Sequence, residues 1–178
     1  MTATVAVGGK PEFAAQGANG LVYFNLEDKS ELLTLSLKTN KITKRISLKP
    51  CQEPTGLAMD EKQRVFSVCG NNVMMVASAD GKIIAQPAIG SGPDGVAVMD
   101  GYAFSANGAD GTITAVGEVD GKFQAVATIP TQLGARTIAA DPATHRLYLP
   151  TADFQPVAAG EKRQGVPNSF RVLVLQKQ

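Results

Sequence analysis

The sequence predicts an all-β fold of four repeated, four-stranded antiparallel blades, and three observations support this. A repeat of about 40 residues recurs with anchors near Pro11, Pro54, Pro93 and Ala135. Each repeat contains several short segments in which apolar residues alternate or cluster, without the periodicity of a helix. The chain carries 18 Gly and 10 Pro among 178 residues, which indicates many tight turns. This combination is typical of the blades of a β-propeller.

Each repeat divides into segments with strand character. The innermost segment is rich in Ala and Gly, which suit the crowded axis of a propeller, and covers 13–15, 56–59, 95–98 and 137–140. The second covers 21–24, 65–68, 102–105 and 147–149, and the third covers 31–37, 73–77, 112–117 and 170–175. The outer segment covers 42–48, 83–88 and 123–129 and follows turns whose Asn and Gly residues accept a positive φ.

The fourth repeat has no outer segment after its third one. The segment 2–7, TATVAV, has the character of such a strand and precedes the first anchor as the other outer strands precede theirs. Because the edges of a sheet need to be paired or covered, we expect this segment to complete the last blade. It does so either within the chain or by exchange with a second copy in a homodimer.

Length and charge restrict the class of protein. A chain of 178 residues supports one domain with a sizeable core, so residues 1–178 are interpreted as a single propeller domain or half-propeller. Its 17 Lys and Arg balance 16 Asp and Glu, and the formal charge of +1 argues against a broad phosphate-binding surface. No apolar run approaches the roughly 20 residues that span a bilayer. The N-terminus also lacks the apolar core of a signal peptide.

Motifs along the chain carry a family resemblance: GGKPEF, PCQEPTGLAMD, VFSVCGN, SANGADGT, TQLGARTIAADPATHRLYLPTADF and FRVLVL. They resemble the C-terminal half of the YncE-like family of β-propellers, which have YVTN-type, WD40-like repeats. Members of this family have about seven blades preceded by a signal peptide. The resemblance therefore implies that N-terminal blades are missing or that the chain self-associates. It also implies a periplasmic or secreted binding or scaffold protein, and it leaves DNA binding open.

Polar residues are expected to converge at one end of the propeller axis. The loops from outer to inner strands place four residues there: Glu12, Thr55, Asp94 and Arg136. The loops from second to third strands share that face and add Asn71, Asn107 and Asp153. Such a central funnel is a usual place to bind a small molecule or a protein partner. The alternative interpretation is that these residues only form turns.

An enzymatic function is the competing hypothesis. Glu12, Asn71, Asn107 and Asp153 are similar in type to the oxygen ligands of calcium in lactonase propellers, which would make the chain a metal-dependent hydrolase. The only histidine, His145, lies in a turn on the opposite face, and no Ser-His-Asp or Cys-His set can be assembled. We expect no catalytic residue and no cofactor under the binding hypothesis, and calcium only under the alternative.

The two cysteines, Cys51 and Cys69, are candidates for a disulfide. Cys51 lies in the loop before the inner strand 56–59, and Cys69 ends the neighbouring antiparallel strand 65–68. A turn centred near Lys62 places Thr55 opposite Cys69, so that a fold-back of the loop brings the Cα atoms within the roughly 4.4–6.8 Å that a disulfide requires. The exported location that the resemblance implies permits the bond, whereas two buried free thiols are the alternative.

Overall fold

The computed structural model describes residues 2–156 and 164–176. Fifteen strands form four antiparallel sheets, and within these ranges the only helical segments are two single 3-10 turns, Ala18–Gly20 and Glu27–Lys29. The predicted all-β architecture of propeller blades is therefore confirmed. No helix in the described ranges is long and apolar enough to cross a membrane.

Three sheets are four-stranded blades in which spatial order follows the chain. Blade 1 comprises β1 (Pro11–Gln16), β2 (Leu21–Leu26), β3 (Glu31–Ser36) and β4 (Lys41–Ser47). Blade 2 comprises β5 (Pro54–Met59), β6 (Val65–Cys69), β7 (Val73–Ala77) and β8 (Ile83–Ala85). Blade 3 comprises β9 (Pro93–Met99), β10 (Tyr102–Asn107), β11 (Thr112–Val119) and β12 (Lys122–Pro130). Each anchoring proline opens the innermost strand of its blade.

Blade 4 has three strands within the described residues: β13 (Ala139–Asp141), β14 (Arg146–Thr151) and β15 (Arg171–Gln176). Its inner strand begins two residues later than the sequence predicts. The segment 2–7 belongs to no strand and does not pair with β15 of its own chain. Within the described residues, blade 4 is thus not completed by the segment 2–7, and its completion within the chain or by exchange with a second copy stays a prediction.

Consecutive blades pack face to face through apolar side chains. Tyr23 and Leu32 of blade 1 contact Val65 and Met75 of blade 2 in one buried cluster. A second cluster joins blades 2 and 3 and includes Phe66, Met74, Val96 and Val116. A third joins blades 3 and 4 and includes Met99, Ile113, Leu147 and Leu149. No buried cluster joins blade 4 to blade 1 within residues 2–156 and 164–176, so in this part of the chain the four blades form an open arc.

Small residues allow the inner strands to approach one another at the axis. A Cβ atom on Gly56 of blade 2 would lie 2.4 Å from the carbonyl oxygen of Asp94 in blade 3. The amide of Gly95 donates to the carbonyl oxygen of Arg136 at 2.8 Å, which links blade 3 to the loop before β13. The predicted preference for small residues at the axis therefore has a direct cause, because backbone packs against backbone there.

The predicted Cys51–Cys69 disulfide is present, with the two Cα atoms 5.4 Å apart. Both residues are buried in the cluster between blades 1 and 2. The bond joins the loop before β5 to the end of β6, on the face of the propeller where the funnel residues lie.

Candidate functional site

The inner loops of the four blades surround an open depression of about 660 Å³ at the axis. All four residues predicted after the strand anchors line it: Glu12, Thr55, Asp94 and Arg136. Their role in binding stays a prediction, but the structure brings them together as the repeat requires. The depression also contains Glu27 and two residues that the sequence did not predict, Lys10 and Glu53.

Three ion pairs organise the charges of the depression. Lys10 contacts the Glu27 carboxylate, and its Nζ lies 3.1 Å from Glu12 Oε1. Arg136 Nε lies 3.3 Å from Asp94 Oδ2, although the Arg136 side chain remains largely exposed. Four carboxylates face two cations among the residues that line the depression, which leaves a net charge of −2.

Lys10 is held in place by its backbone as well as by its side chain. Its amide donates to Asp28 Oδ1 at 2.7 Å, and this hydrogen bond holds the pKa of Asp28 below its usual value. Hydrogen bonds from the ammonium group to Glu27 and then to Glu12 raise the pKa of Lys10. Lys10 therefore carries its charge at physiological pH and neutralises part of the carboxylate cluster.

Glu53 is the carboxylate of the depression without a cation beside it. Its backbone has a φ of 48°, and its side chain lies over Gly70, where an added Cβ would be 3.1 Å from Glu53 Oε2. Within residues 2–156 and 164–176, no Lys, Arg or His nitrogen lies within 4 Å of this carboxylate. Glu53 is thus the carboxylate of the depression that has no cation beside it, and the second unmatched charge is shared by Glu12 and Glu27 around Lys10.

Thr55 is positioned by a buried amide from the neighbouring blade. Asn25 Nδ2 donates to the carbonyl oxygens of Thr55 and Gly56 at 2.9 and 3.3 Å. The Thr55 hydroxyl makes only a long contact of 3.5 Å with the carbonyl oxygen of Pro93. Thr55 can therefore offer its hydroxyl to a ligand without losing a short internal hydrogen bond.

The two predicted asparagines do not line the depression because their amides bind the protein itself. Asn71 Oδ1 accepts from the Gln52 amide at 3.0 Å, and Asn71 Nδ2 donates to the Pro50 carbonyl oxygen at 3.0 Å. Asn107 is fully buried, and its Nδ2 donates to the hydroxyls of Thr112 and Thr114 at 3.1 and 2.9 Å. Both amides are thus engaged within the protein, and a role of these residues in binding stays a prediction.

Asp153 and His145 also lie away from the depression. Asp153 contacts Arg171 at the start of β15 and accepts from Gln132 Nε2 at 3.0 Å. His145 Nδ1 lies 2.8 Å from Asp100 Oδ2 in exposed turns on the opposite face. The shell of Glu12, Asn71, Asn107 and Asp153 considered for calcium therefore does not converge. No group of three or more His, Cys, Asp or Glu in the described residues is arranged to hold a metal ion.

Solved structures that this chain resembles are β-propellers. Hydrazine synthase of Kuenenia stuttgartiensis superposes with a TM-score of 0.73 at 13% identity, over 97% of this chain and 51% of that chain. The WD40 β-propeller domain of Doa1 gives 0.72 at 12% identity, over 97% and 53%. Virginiamycin B lyase from Staphylococcus aureus gives 0.66 at 17% identity, over 96% and 57%. No protein-family model matches the chain, and no curated protein is similar enough in sequence to count as a relative.

These similarities establish the fold and not the activity, because the identities are low and the names include two enzymes. The chain spans about half the length of each of the three solved structures.

Proposed function

We propose that this chain is a non-enzymatic binding propeller whose axial depression holds a positively charged group of a small molecule or of a protein partner. The observation that carries the proposal is the net charge of −2 in a concave site, with Glu53 unmatched by a cation. A ligand ammonium or guanidinium group placed beside Glu53 would gain a charge-assisted hydrogen bond. The hydroxyl of Thr55, two residues after Glu53 in the chain, supplies an uncharged hydrogen-bond partner for the same ligand.

The depression suits binding better than chemistry. Its four carboxylates are all at least partly exposed, and its two cations are already paired with Glu12, Glu27 and Asp94. The competing hypothesis of a metal-dependent hydrolase needs oxygen ligands around one point. Three of the four residues considered for that role lie outside the depression, so no specific observation favours it.

Kinship with YncE-like propellers and an exported location are also part of the proposal. The fold supports kinship only at the level of propellers. The Cys51–Cys69 disulfide is compatible with the periplasm or the extracellular space, where such bonds form and persist.

Binding of a cationic peptide tests the proposed function. The probes are a hexapeptide of lysine and, as the opposite charge, a hexapeptide of glutamate, each titrated by calorimetry at low and at physiological salt. We expect saturable binding of the lysine peptide only, weakened by salt because the site is exposed. Glu53→Gln should weaken it by about 5-fold, or ~1 kcal/mol.

Glu61→Gln is the matched control because it removes the same charge from an exposed turn on the opposite face. It should leave the affinity unchanged. An equal loss in Glu61→Gln and Glu53→Gln would mean that net charge alone attracts the peptide. No saturable binding of the lysine peptide would overturn the proposal.

A further inference from the structure

Blade 4 has a free edge. Strand β15 pairs with β14 along its whole length, from Arg171 to Gln176, and no described residue pairs with its other side. Unpaired strand edges recruit other strands, so native proteins pair or cover them. We therefore expect a fourth strand to pair with this edge of β15.

An apolar groove of about 460 Å³ lies between blades 3 and 4, where that fourth strand would stand. Its walls include Tyr102, Phe104, Val126 and Ile129 from blade 3 and Leu147 and Leu175 from blade 4. The groove remains open because β12 of blade 3 has no outer strand of blade 4 to pack against.

The other face of blade 4 is apolar and exposed. Val172 and Val174 of β15 are 49% and 55% exposed, and Tyr148 is the cross-strand neighbour of Val174. In blades 1 to 3 the corresponding side chains pack on the next blade. Within the described residues, no further blade covers this face of blade 4.

The segment 2–7 has the properties of the missing strand. Val5 and Val7 are half-buried and alternate with the exposed Ala6. Val7 packs on a cluster that includes Phe24 and Leu33, on the face of blade 1 that is turned away from blade 2. The segment therefore lies where the outer strand of a preceding blade would lie.

We propose that two copies of this chain close into one ring of eight blades, in which residues 2–7 of each copy form the fourth strand of blade 4 in the other. Side chains of a strand alternate between the two faces of a sheet. When Val5 and Val7 of one copy face blade 1 of that same copy, they extend the apolar face that Val172 and Val174 form on blade 4 of the other copy. Ala6 then points into the groove beside blade 3.

Size and symmetry support a second copy as the occupant. The chain spans about half of each of the three solved structures named above, so two copies match one of those three in length. The exchange creates two identical interfaces and closes without leaving a free edge, as expected of a two-fold symmetric dimer. It also brings Glu12 of one copy near Arg136 of the other, around a shared axial depression.

The mass of the chain in solution tests the proposal. Light scattering and sedimentation between low micromolar and submillimolar concentration should give twice 18.6 kDa. Val174→Asp should raise the dissociation constant of the dimer by about 100-fold, because each dimer contains the substitution twice. Ile84→Asp is the matched control, since Ile84 is 43% exposed in the outer strand of blade 2, away from both ends of the arc. It should leave the dimer intact.

Hydrogen exchange identifies the strands that pair and covers the case in which a variant fails to fold. Amides of residues 2–7 and of β15 should become protected together as concentration rises. A strict monomer at the highest concentration would overturn the proposal, as would a dimer in which residues 2–7 and β15 stay unprotected. The lysine peptide titration is read separately, so failure of the dimer and failure of the proposed binding function are distinguishable.

Discussion

Ser67 donates its hydroxyl to Oδ1 of Asn25 at 2.9 Å across the interface between blades 1 and 2, and both side chains are buried. Because Asn25 Nδ2 also donates to Thr55 and Gly56, one buried amide joins two blades and sets the position of a residue in the depression. Buried polar groups that lose a partner cost more than a single hydrogen bond contributes.

Asn25→Ala should lower the free energy of unfolding by about 2–4 kcal/mol, because it leaves a hydroxyl and two carbonyl oxygens without their donor or acceptor. Ser67→Ala should cost about 1–2 kcal/mol, and the double variant less than the sum of the two. Urea unfolding measures all three. Gln124→Ala, at an exposed position of β12, is the control and should change stability by less than about 0.5 kcal/mol. Additive losses would contradict the coupling.

Arg64 of blade 2 contacts a carboxylate and an aromatic ring of blade 3, and it is also paired with a carboxylate of its own blade. Its Nε lies 2.5 Å from Asp60 Oδ2, its Nη1 lies 2.7 Å from Glu118 Oε2, and its guanidinium stacks 4.6 Å from the centre of the Phe123 ring. Arg64→Met should cost about 2–3 kcal/mol, since it leaves the buried Asp60 carboxylate without a cation. Glu118→Gln removes the more exposed pair and should cost less than about 1 kcal/mol. A larger loss in Glu118→Gln than in Arg64→Met would refute this ranking.

Gly56 is the position at the axis where a side chain meets backbone. An added Cβ would lie 2.4 Å from the Asp94 carbonyl oxygen and 3.0 Å from the Val96 nitrogen, and neither atom can move without separating β5 from β9. Gly56→Ala should therefore destabilise the fold by about 2 kcal/mol or more. Gly165→Ala is the matched control, because the nearest atom to its Cβ would be 4.0 Å away. Equal thermal midpoints for the two variants would show that the inner strands tolerate separation.

The repeat predicted both the division into blades and the convergence of the four residues after the anchors, because both depend only on the period of the repeat. Residues at the same position of each repeat lie at equivalent positions around the axis, one in each blade. This is why Glu12, Thr55, Asp94 and Arg136 all line the depression. The fold was predictable for the same reason, since four strand segments per repeat define each blade.

The direction of individual loop side chains was not predictable from the sequence. Asn71 lies in the expected loop and Asn107 ends β10 just before the next one, but their amides bind nearby backbone and hydroxyl groups. Glu53 lies in the depression with a positive backbone φ, which no local sequence pattern indicates. Lys10 was missed because its position depends on the contact of its amide with Asp28, eighteen residues away.

Asp141 should make part of the stability of the protein depend on pH. The Thr144 hydroxyl donates to Oδ2 at 2.6 Å and the Ala143 amide donates to Oδ1 at 3.0 Å, and these hydrogen bonds hold the pKa of Asp141 below its usual 3.8. A lowered folded-state pKa contributes stability that is present above pH 3.8 and is lost as pH falls through the folded-state value.

Asp141→Asn should therefore lower the thermal midpoint at pH 6, and the gap to the unchanged protein should close as the pH approaches 2. Thermal unfolding followed by circular dichroism between pH 2 and pH 7 measures this gap. Thr144→Ala removes the first of the two donors and should reproduce much of the same pH dependence. A gap that is constant over the whole range would mean that the carboxylate contributes only through local backbone geometry.

The Cys51–Cys69 disulfide should stabilise the chain mainly through the unfolded state. The bond closes a loop of 18 residues, for which the chain-entropy estimate is about 3 kcal/mol. In the folded state the same loop is also held by the two hydrogen bonds of Asn71, to Gln52 and Pro50.

The double variant of Cys51→Ala and Cys69→Ala should therefore keep the native circular dichroism spectrum while losing about 3 kcal/mol in urea unfolding. Its m-value should rise, because an uncrosslinked unfolded chain exposes more surface. Thiol titration of the unfolded, unreduced protein provides the control and should find no free thiol in material from an oxidising compartment. Two free thiols there would leave the cysteines as apolar packing, and a double variant as stable as the unchanged protein would show that the bond does not stabilise the fold.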